Sequence, residues 1–217
     1  MISYCIGNGE SRKDYNLEQL RDTGKFYGSN ALYRDIPVDY LCCSDKRMVE
    51  EALDGGYKGI IYTRLDWLSL FKTPQVKSFL MFSWDFWTEN VKWKKTLHWG
   101  SGLHSAYLAL RNNCNILNMI GHDFWGVKNK HNNLYKNTHN YESNNHHAID
   151  PSFWIMQFEL LFTEFPETQF VFCQPNIKDW KIPAGWQEFS NVQFQELEEL
   201  ALLVLASRRG KILELRE

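Results

Sequence analysis

The first residues whose types and spacing suit chemistry are Gly7-Asn8-Gly9, directly after the apolar run Ile2 to Ile6 and ahead of a helix expected to begin near Asn16. In an open α/β sheet a ligand sits beyond the carboxyl ends of the strands, where a glycine turn lets backbone N–H groups approach a phosphate. The longer dinucleotide fingerprint is absent, and no Lys-Ser or Lys-Thr closes a P-loop. The competing use of this turn is a tight strand-to-helix connection that needs positive φ. Gly100-Ser101-Gly102 repeats the small-residue pattern before a helix, with Ser101 expected as its N-cap. Gly121-His122-Asp123-Phe124-Trp125 then follows the next strand candidate, so two such loops can face one crevice. Asp123 has a structural alternative, as a turn or helix cap.

A third set, Cys173-Gln174-Pro175-Asn176, closes the last strand candidate, and a fourth, His146-His147, precedes Asp150-Pro151. Asp150 as N-cap with Pro151 in the first turn is a strong helix-start signal. The positive end of that helix disfavours imidazolium, which suits a histidine general base near neutral pH. Paired histidines in a polar loop are otherwise solvated side chains. The chain has seven histidines, yet no HExxH, HxH or Cys-His array shows ligand spacing, and no Asp-x-Asp pair is present to hold a divalent ion. No metal is therefore expected. Gly-x-Ser-x-Gly is also absent, which removes the nucleophile-elbow hydrolases.

The elements that must position these residues alternate along the chain. Strands are expected at Ile2 to Ile6, Gly24 to Gly28, Tyr40 to Cys43, Gly59 to Tyr62, Phe79 to Phe82, Asn115 to Ile120 and Gln169 to Cys173. Helical spacing of apolar residues marks Leu17 to Arg21, Lys46 to Leu53, Gly102 to Asn112, Pro151 to Phe165 and Phe194 to Ser207. The pattern predicts one Rossmann-like α/β domain over residues 1–217, with a mostly parallel central sheet and helices on both faces. Residues 126–145 are rich in Asn, Lys, His and Tyr without apolar periodicity, and are expected as a long polar loop, either a functional lid or a mobile segment.

Composition bounds the function. With 217 residues, 44% hydrophobic and 23% charged, the chain has the make-up of one globular domain, and a net charge of −2 offers no field for a nucleic acid. The basic runs Lys92, Lys94, Lys95 and Arg208, Arg209, Lys211 are short and read as solvated faces. Cys5, Cys42, Cys43, Cys114 and Cys173 are odd in number, lack a CxxC pair and fall mostly in apolar runs, which reads as reduced core thiols. No secretory signal or membrane span is visible, so a cytoplasmic setting is expected. Trp84, Trp87, Trp93 and Trp99 cluster within a short span, as a core edge or as a partner surface that would include a homo-oligomer contact.

Taken in order, five short motifs resemble the bacterial lipo-oligosaccharide sialyltransferases and the wider sialyltransferase-like group. They are Gly7-Asn8-Gly9-Glu10-Ser11, Ser29-Asn30-Ala31-Leu32-Tyr33, Ser101-Gly102 with its alanine-rich helix, Gly121-His122-Asp123-Phe124 and Cys173-Gln174-Pro175-Asn176. The resemblance implies a modified Rossmann-type domain that takes a CMP-sugar as substrate, needs neither metal nor resident cofactor, and transfers the sugar with inversion to a glycan acceptor. It implies nucleotide contacts at Gly7, Asn8, Gly9, Asn30, Ser101, Gly102, Trp125, Pro175 and Asn176, and a general base at His147 or His146, between which spacing does not decide.

The chain also departs from that pattern. Glu10 replaces the proline after Gly-Asn-Gly and would repel a phosphate unless it points away, and His98 replaces an arginine before the serine-glycine pair. Trp125 and His131 stand where the family has a tyrosine pair for the leaving phosphate, with Tyr135 and Tyr141 as substitutes from the same loop. Two alternatives remain. One is a magnesium- and ATP-dependent pyrophosphokinase of the same fold group, using carboxylates such as Asp45, Asp66, Asp85 and Asp123, although Asp at a strand end is more often a cap. The other is a non-catalytic nucleotide-binding or assembly domain.

Overall fold

A computed structural model describes residues 1–78, 99–200 and 202. Eight strands form a single sheet: β1 (Ile2–Ile6), β2 (Lys25–Ser29), β3 (Tyr40–Cys42), β4 (Ile61–Thr63), β5 (Val76–Ser78), β6 (Ile116–Ile120), β7 (Gln169–Gln174) and β8 (Val192–Glu196). Their order is β5-β4-β3-β2-β1-β6-β7-β8, and every neighbouring pair is parallel. The α-helices α1 (Lys46–Asp54), α2 (Leu65–Leu68), α3 (Ser101–Arg111) and α4 (Ser152–Glu164) accompany them, with further helix at residues 197–200 and 202. This is the parallel α/β architecture the alternation predicts.

Both faces of the sheet are covered, so the central strands are apolar throughout rather than alternating. Tyr4, Ile6 and Phe26 face one core with Leu20, Leu32, Met48 and Val49, while Cys5 and Tyr27 face the other with Leu103, Ala106, Phe158 and Phe162. Trp186, fully buried, closes the second core. The five cysteines are free and buried. Among the described residues, no helix is long and apolar enough to cross a membrane.

Several local expectations need correcting. Val192-Gln193-Phe194-Gln195-Glu196 forms edge strand β8, where helical spacing from Phe194 was expected; helix begins after it, at residue 197. The period-two alternation of Val192 and Phe194 wins because Phe194 packs on Phe172 of β7, ring centroids 6.2 Å apart. The helix near Asn16 is a 3-10 segment, Leu17–Thr23, capped by Asn16 Oδ1 accepting from the Glu18 amide at 3.1 Å. Gly100 rather than Ser101 is the N-cap of α3. Asp150 caps α4 through the Ser152 amide at 2.9 Å, but the helix begins at Ser152 with Pro151 in the cap position. The expected strand Phe79–Phe82, Trp84, Trp87, Trp93, Asp85, His98, both basic runs and the end of the helix expected to reach Ser207 lie outside the described residues.

Candidate functional site

The chain builds the sheet outward from β1 to β5, then returns to the other side of β1 with β6, so the strand order reverses between β1 and β6. Such a switch point leaves a crevice at the carboxyl ends, because the connections on its two sides leave for opposite faces. A cavity of about 590 Å³ opens there, lined by residues that follow β1, β2, β3, β4 and β6 and by the first turn of α3.

Its floor is a backbone crossing. The Gly7 amide donates to Ile120 O at 2.8 Å and the Gly9 amide to Gly121 O at 2.9 Å. A Cβ on Gly7 would lie 2.5 Å from Gly121 O, and one on Gly9 would lie 2.4 Å from the Asp123 carboxylate. Close approach, not positive φ, therefore demands the first two glycines: Gly9 has φ −66°, whereas Gly121 sits at +70°. Asp123 accepts from the Ser11 amide at 3.0 Å and from the Ser11 hydroxyl, so it caps the turn after β1 from a distant strand end.

Beside the crossing lies a chain of polar side chains. Ser101, the first residue of α3, donates from Oγ to Asn30 Oδ1 at 2.9 Å and accepts from the Ser44 amide at 2.9 Å. Ser44 Oγ in turn pairs with His104 Nδ1 at 2.9 Å. Asn30 is held at φ +51°, a left-handed conformation that asparagine tolerates better than most residues. Asn8 donates from Nδ2 to Ser29 O at 3.1 Å and to Tyr141 Oη at 3.3 Å, while its Oδ1 is buried and accepts from no described residue. No side chain caps α3, so its first-turn amides and their partial positive charge face the cavity. Arg47 and Arg64 add cationic side chains to the lining, Arg64 paired with Asp66 and stacked over Trp67 at 5.1 Å.

The polar segment after β6 forms another wall, without helix or strand beyond isolated bridges at Val127, Lys130 and His147. Lys128, Asn129, Asn137 and Asn140 all take positive φ, which accounts for much of its asparagine content. The segment is tied to the fold. The Leu134 amide donates to Asn8 O at 2.8 Å, and Tyr135 Oη donates to Asp35 Oδ2 at 2.5 Å while accepting from the buried Arg12 at 2.9 Å. Tyr141 Oη also accepts from the Ala31 amide at 3.3 Å. Glu10 forms an ion pair with Lys136, which turns its carboxylate away from the cavity lining.

Of the residues singled out from sequence, Gly7, Asn8, Gly9, Asn30, Ser101, Gly102, Trp125, His131 and Tyr141 line this one cavity. Tyr135, His146, His147, Pro175 and Asn176 do not. Tyr135 is a structural strut, 6% exposed. His146 and His147 are exposed on the strip just before the lining residue Ala148, and His146 O accepts from the His131 amide at 2.9 Å. Asn176 Nδ2 instead donates to Asp179 Oδ2 at 2.5 Å. Ser44, Arg47, Arg64 and Trp154 line the cavity without having been singled out as ligand contacts. Ser44 was legible, because it follows β3 as Asn30 follows β2; Trp154 was hidden in the apolar face of α4.

Burial sets the protonation of the histidines in and beside the cavity. His122, whose Nε2 lies 3.4 Å from Cys5 Sγ, is pushed down to about 4 by desolvation. His104 is pushed down to about 3, first by burial and then by the charge of Arg64. Both are neutral at pH 7. His131, half-buried, is lowered first by burial and then by His146. Among the described residues, no three His, Cys, Asp or Glu side chains converge as a metal-holding set. Asp66 pairs with Arg64, Asp123 is occupied by Ser11, and Asp45 lines the cavity.

No protein-family profile matches the chain, and no curated protein does. Among solved structures, it is similar to the sialyltransferase CstII from Campylobacter jejuni in complex with the substrate analogue CMP-3FNeuAc, with 14% identity, a TM-score of 0.49, and 90% of this chain and 86% of that one covered. A structure of the same enzyme with cytidine-5'-monophosphate gives 14% identity and a TM-score of 0.47, covering 88% of this chain and 98% of that one. The likeness is distant. It assigns neither family, ligand nor reaction to this chain, whose chemistry has to be read from its own cavity.

Proposed function

We propose that the protein is a glycosyltransferase that takes a CMP-sugar and, without a metal, moves the sugar with inversion to a hydroxyl of a glycan acceptor. The carrying observation is that nine residues singled out by motif, from Gly7 to Tyr141, line one cavity at the switch point of a parallel sheet. Cytidine is chosen because the ordered motifs resemble those of the CMP-sugar transferases. A buried Asn8 Oδ1 that accepts from no described residue would be satisfied by an exocyclic base amine, which cytosine has and uracil lacks.

In this reading Asn8 and Asn30 meet the nucleoside, with Asn30 oriented by Ser101. The uncapped amides of α3 receive the phosphate, and the nearby arginines favour its negative charge. Donors fixed before the reaction stabilise the charge that grows on the phosphate as it leaves. Glu10 offers no repulsion, because Lys136 pairs with it. A histidine takes the acceptor's proton as general base, a role for which the resemblance implied His147 or His146, neither of which lines the cavity.

A thermal-shift panel of CMP, UMP, AMP, GMP, a CMP-sugar, and ATP with and without magnesium tests the proposal, because a ligand that binds only the folded state raises the midpoint. A shift with CMP and CMP-sugar in the presence of a chelator is expected. A shift with ATP and magnesium alone would overturn it in favour of pyrophosphate transfer.

A further inference from the structure

The identity of the proton acceptor can be taken further from where the histidines sit. His98 lies outside the described residues. His104 does not line the cavity, and His122 lies in its floor, 8% exposed, against Cys5. His139, His146 and His147 are exposed and outside the lining. Among the described histidines, His131 alone both lines the cavity and is half-buried rather than buried.

The segment at His131 is held by its own amide and by the side chain of the residue that follows. Its amide donates to His146 O at 2.9 Å, and the next residue, Asn132, accepts the Glu10 amide at 2.9 Å and donates to Trp125 O at 3.1 Å. The ring itself hydrogen-bonds no described residue. A base needs this combination: a position set by the scaffold and a nitrogen lone pair not already committed.

We infer that His131, not His146 or His147, takes the acceptor's proton, an inference that deepens the transferase reading and rests on it. The acceptor O–H gives its proton to a ring nitrogen of His131, and the oxygen's electron pair forms the bond to the donor's anomeric carbon. The bond from that carbon to the phosphate oxygen breaks, and its pair leaves with CMP. The charged groups around the ring are His146 and Lys136, which disfavour its protonation, and Glu142 and Glu10, which favour it. Burial is the largest influence, and the net effect lowers the ring's pKa below the ordinary histidine value, favouring the neutral form.

The test uses the whole chain with CMP-N-acetylneuraminate as donor and a β-galactoside as acceptor, comparing His131→Ala, His131→Gln and the double variant His146→Ala/His147→Ala. His131→Ala should lower kcat about 100- to 10,000-fold, with the CMP Kd changed less than about threefold. Added imidazole should restore part of the rate, and the acid limb of the pH–rate profile, with its midpoint below about 6.5, should disappear. The double variant should keep near-native turnover. His131→Gln keeps most of the side-chain volume, so loss in both His131 variants with unchanged thermal midpoints separates catalysis from folding. Loss of turnover in the double variant with retention in His131→Ala would overturn the assignment, as would wild-type protein that binds CMP but transfers nothing. Failure of wild-type protein to bind CMP would instead remove the transferase reading beneath it.

Discussion

At the floor of the cavity, Gly7 and Gly121 bring two strand ends so close that a single added carbon would meet a carbonyl oxygen at 2.5 Å. Along the 126–148 wall such crowding recurs at Gly126, where an added carbon would lie 2.6 Å from Lys130 O, but no adjacent strand supplies it; further on, Leu134, Tyr135 and Tyr141 reach across to Asn8, Asp35, Arg12 and Ala31 through individual hydrogen bonds. The floor is fixed by what is missing from a side chain, and the wall beyond Gly126 by single hydrogen bonds from the Leu134 backbone and two tyrosine hydroxyls. A site made this way combines a floor that admits no substitution with a wall that can be loosened one bond at a time.

The floor should be the most sensitive point. Gly7→Ala forces its Cβ into the Gly121 carbonyl, backbone that cannot swing aside, and should cost about 3 kcal/mol or more in urea unfolding. A loss below about 1 kcal/mol would break the contrast between the two regions. On the wall, Tyr135→Phe removes one hydroxyl from the Arg12 and Asp35 network and should cost about 1–2 kcal/mol. CMP affinity should barely change, because Tyr135 does not line the cavity.

Acid reads the interior around the floor. His122 and His104 titrate at about 4 and about 3 in the folded chain, below the ordinary histidine value near 6.5. The unfolded chain therefore binds more protons between those values, and stability rises with pH. The contribution is complete above about pH 6.5 and is lost as the pH falls towards the folded values. The thermal midpoint at pH 5 should lie about 10 °C below that at pH 7, and His122→Asn should flatten the fall.

Legibility followed the same division. Gly7, Gly9, Ser101 and Gly121 were readable because their short-range pattern, small residues at a strand end or helix start, is the direct signature of close backbone approach. The parallel sheet was readable from apolar runs buried on both faces, but β8 was not, because an edge strand with Val192 and Phe194 alternating against glutamines overlaps the start of a helical pattern. The wall was the least readable part. The sequence showed that Asn129, Asn137 and Asn140 belong to a loop, yet their left-handed turns, and which of His131, His146 and His147 faces the cavity, depend on contacts with Asn8, Glu10 and Arg12 more than 100 residues away. Asn176 shows the same limit in reverse: its motif matched, but its side chain bonds Asp179 rather than facing the cavity.

Titration calorimetry of CMP in the presence of a chelator tests the central claim most directly, run on wild-type protein, Ser101→Ala and Asn176→Ala. Saturable one-site binding is predicted, weakened about tenfold by Ser101→Ala, which releases Asn30 and Ser44, and unchanged by Asn176→Ala. No heat of binding in the wild type, or a loss in Asn176→Ala with none in Ser101→Ala, would contradict it.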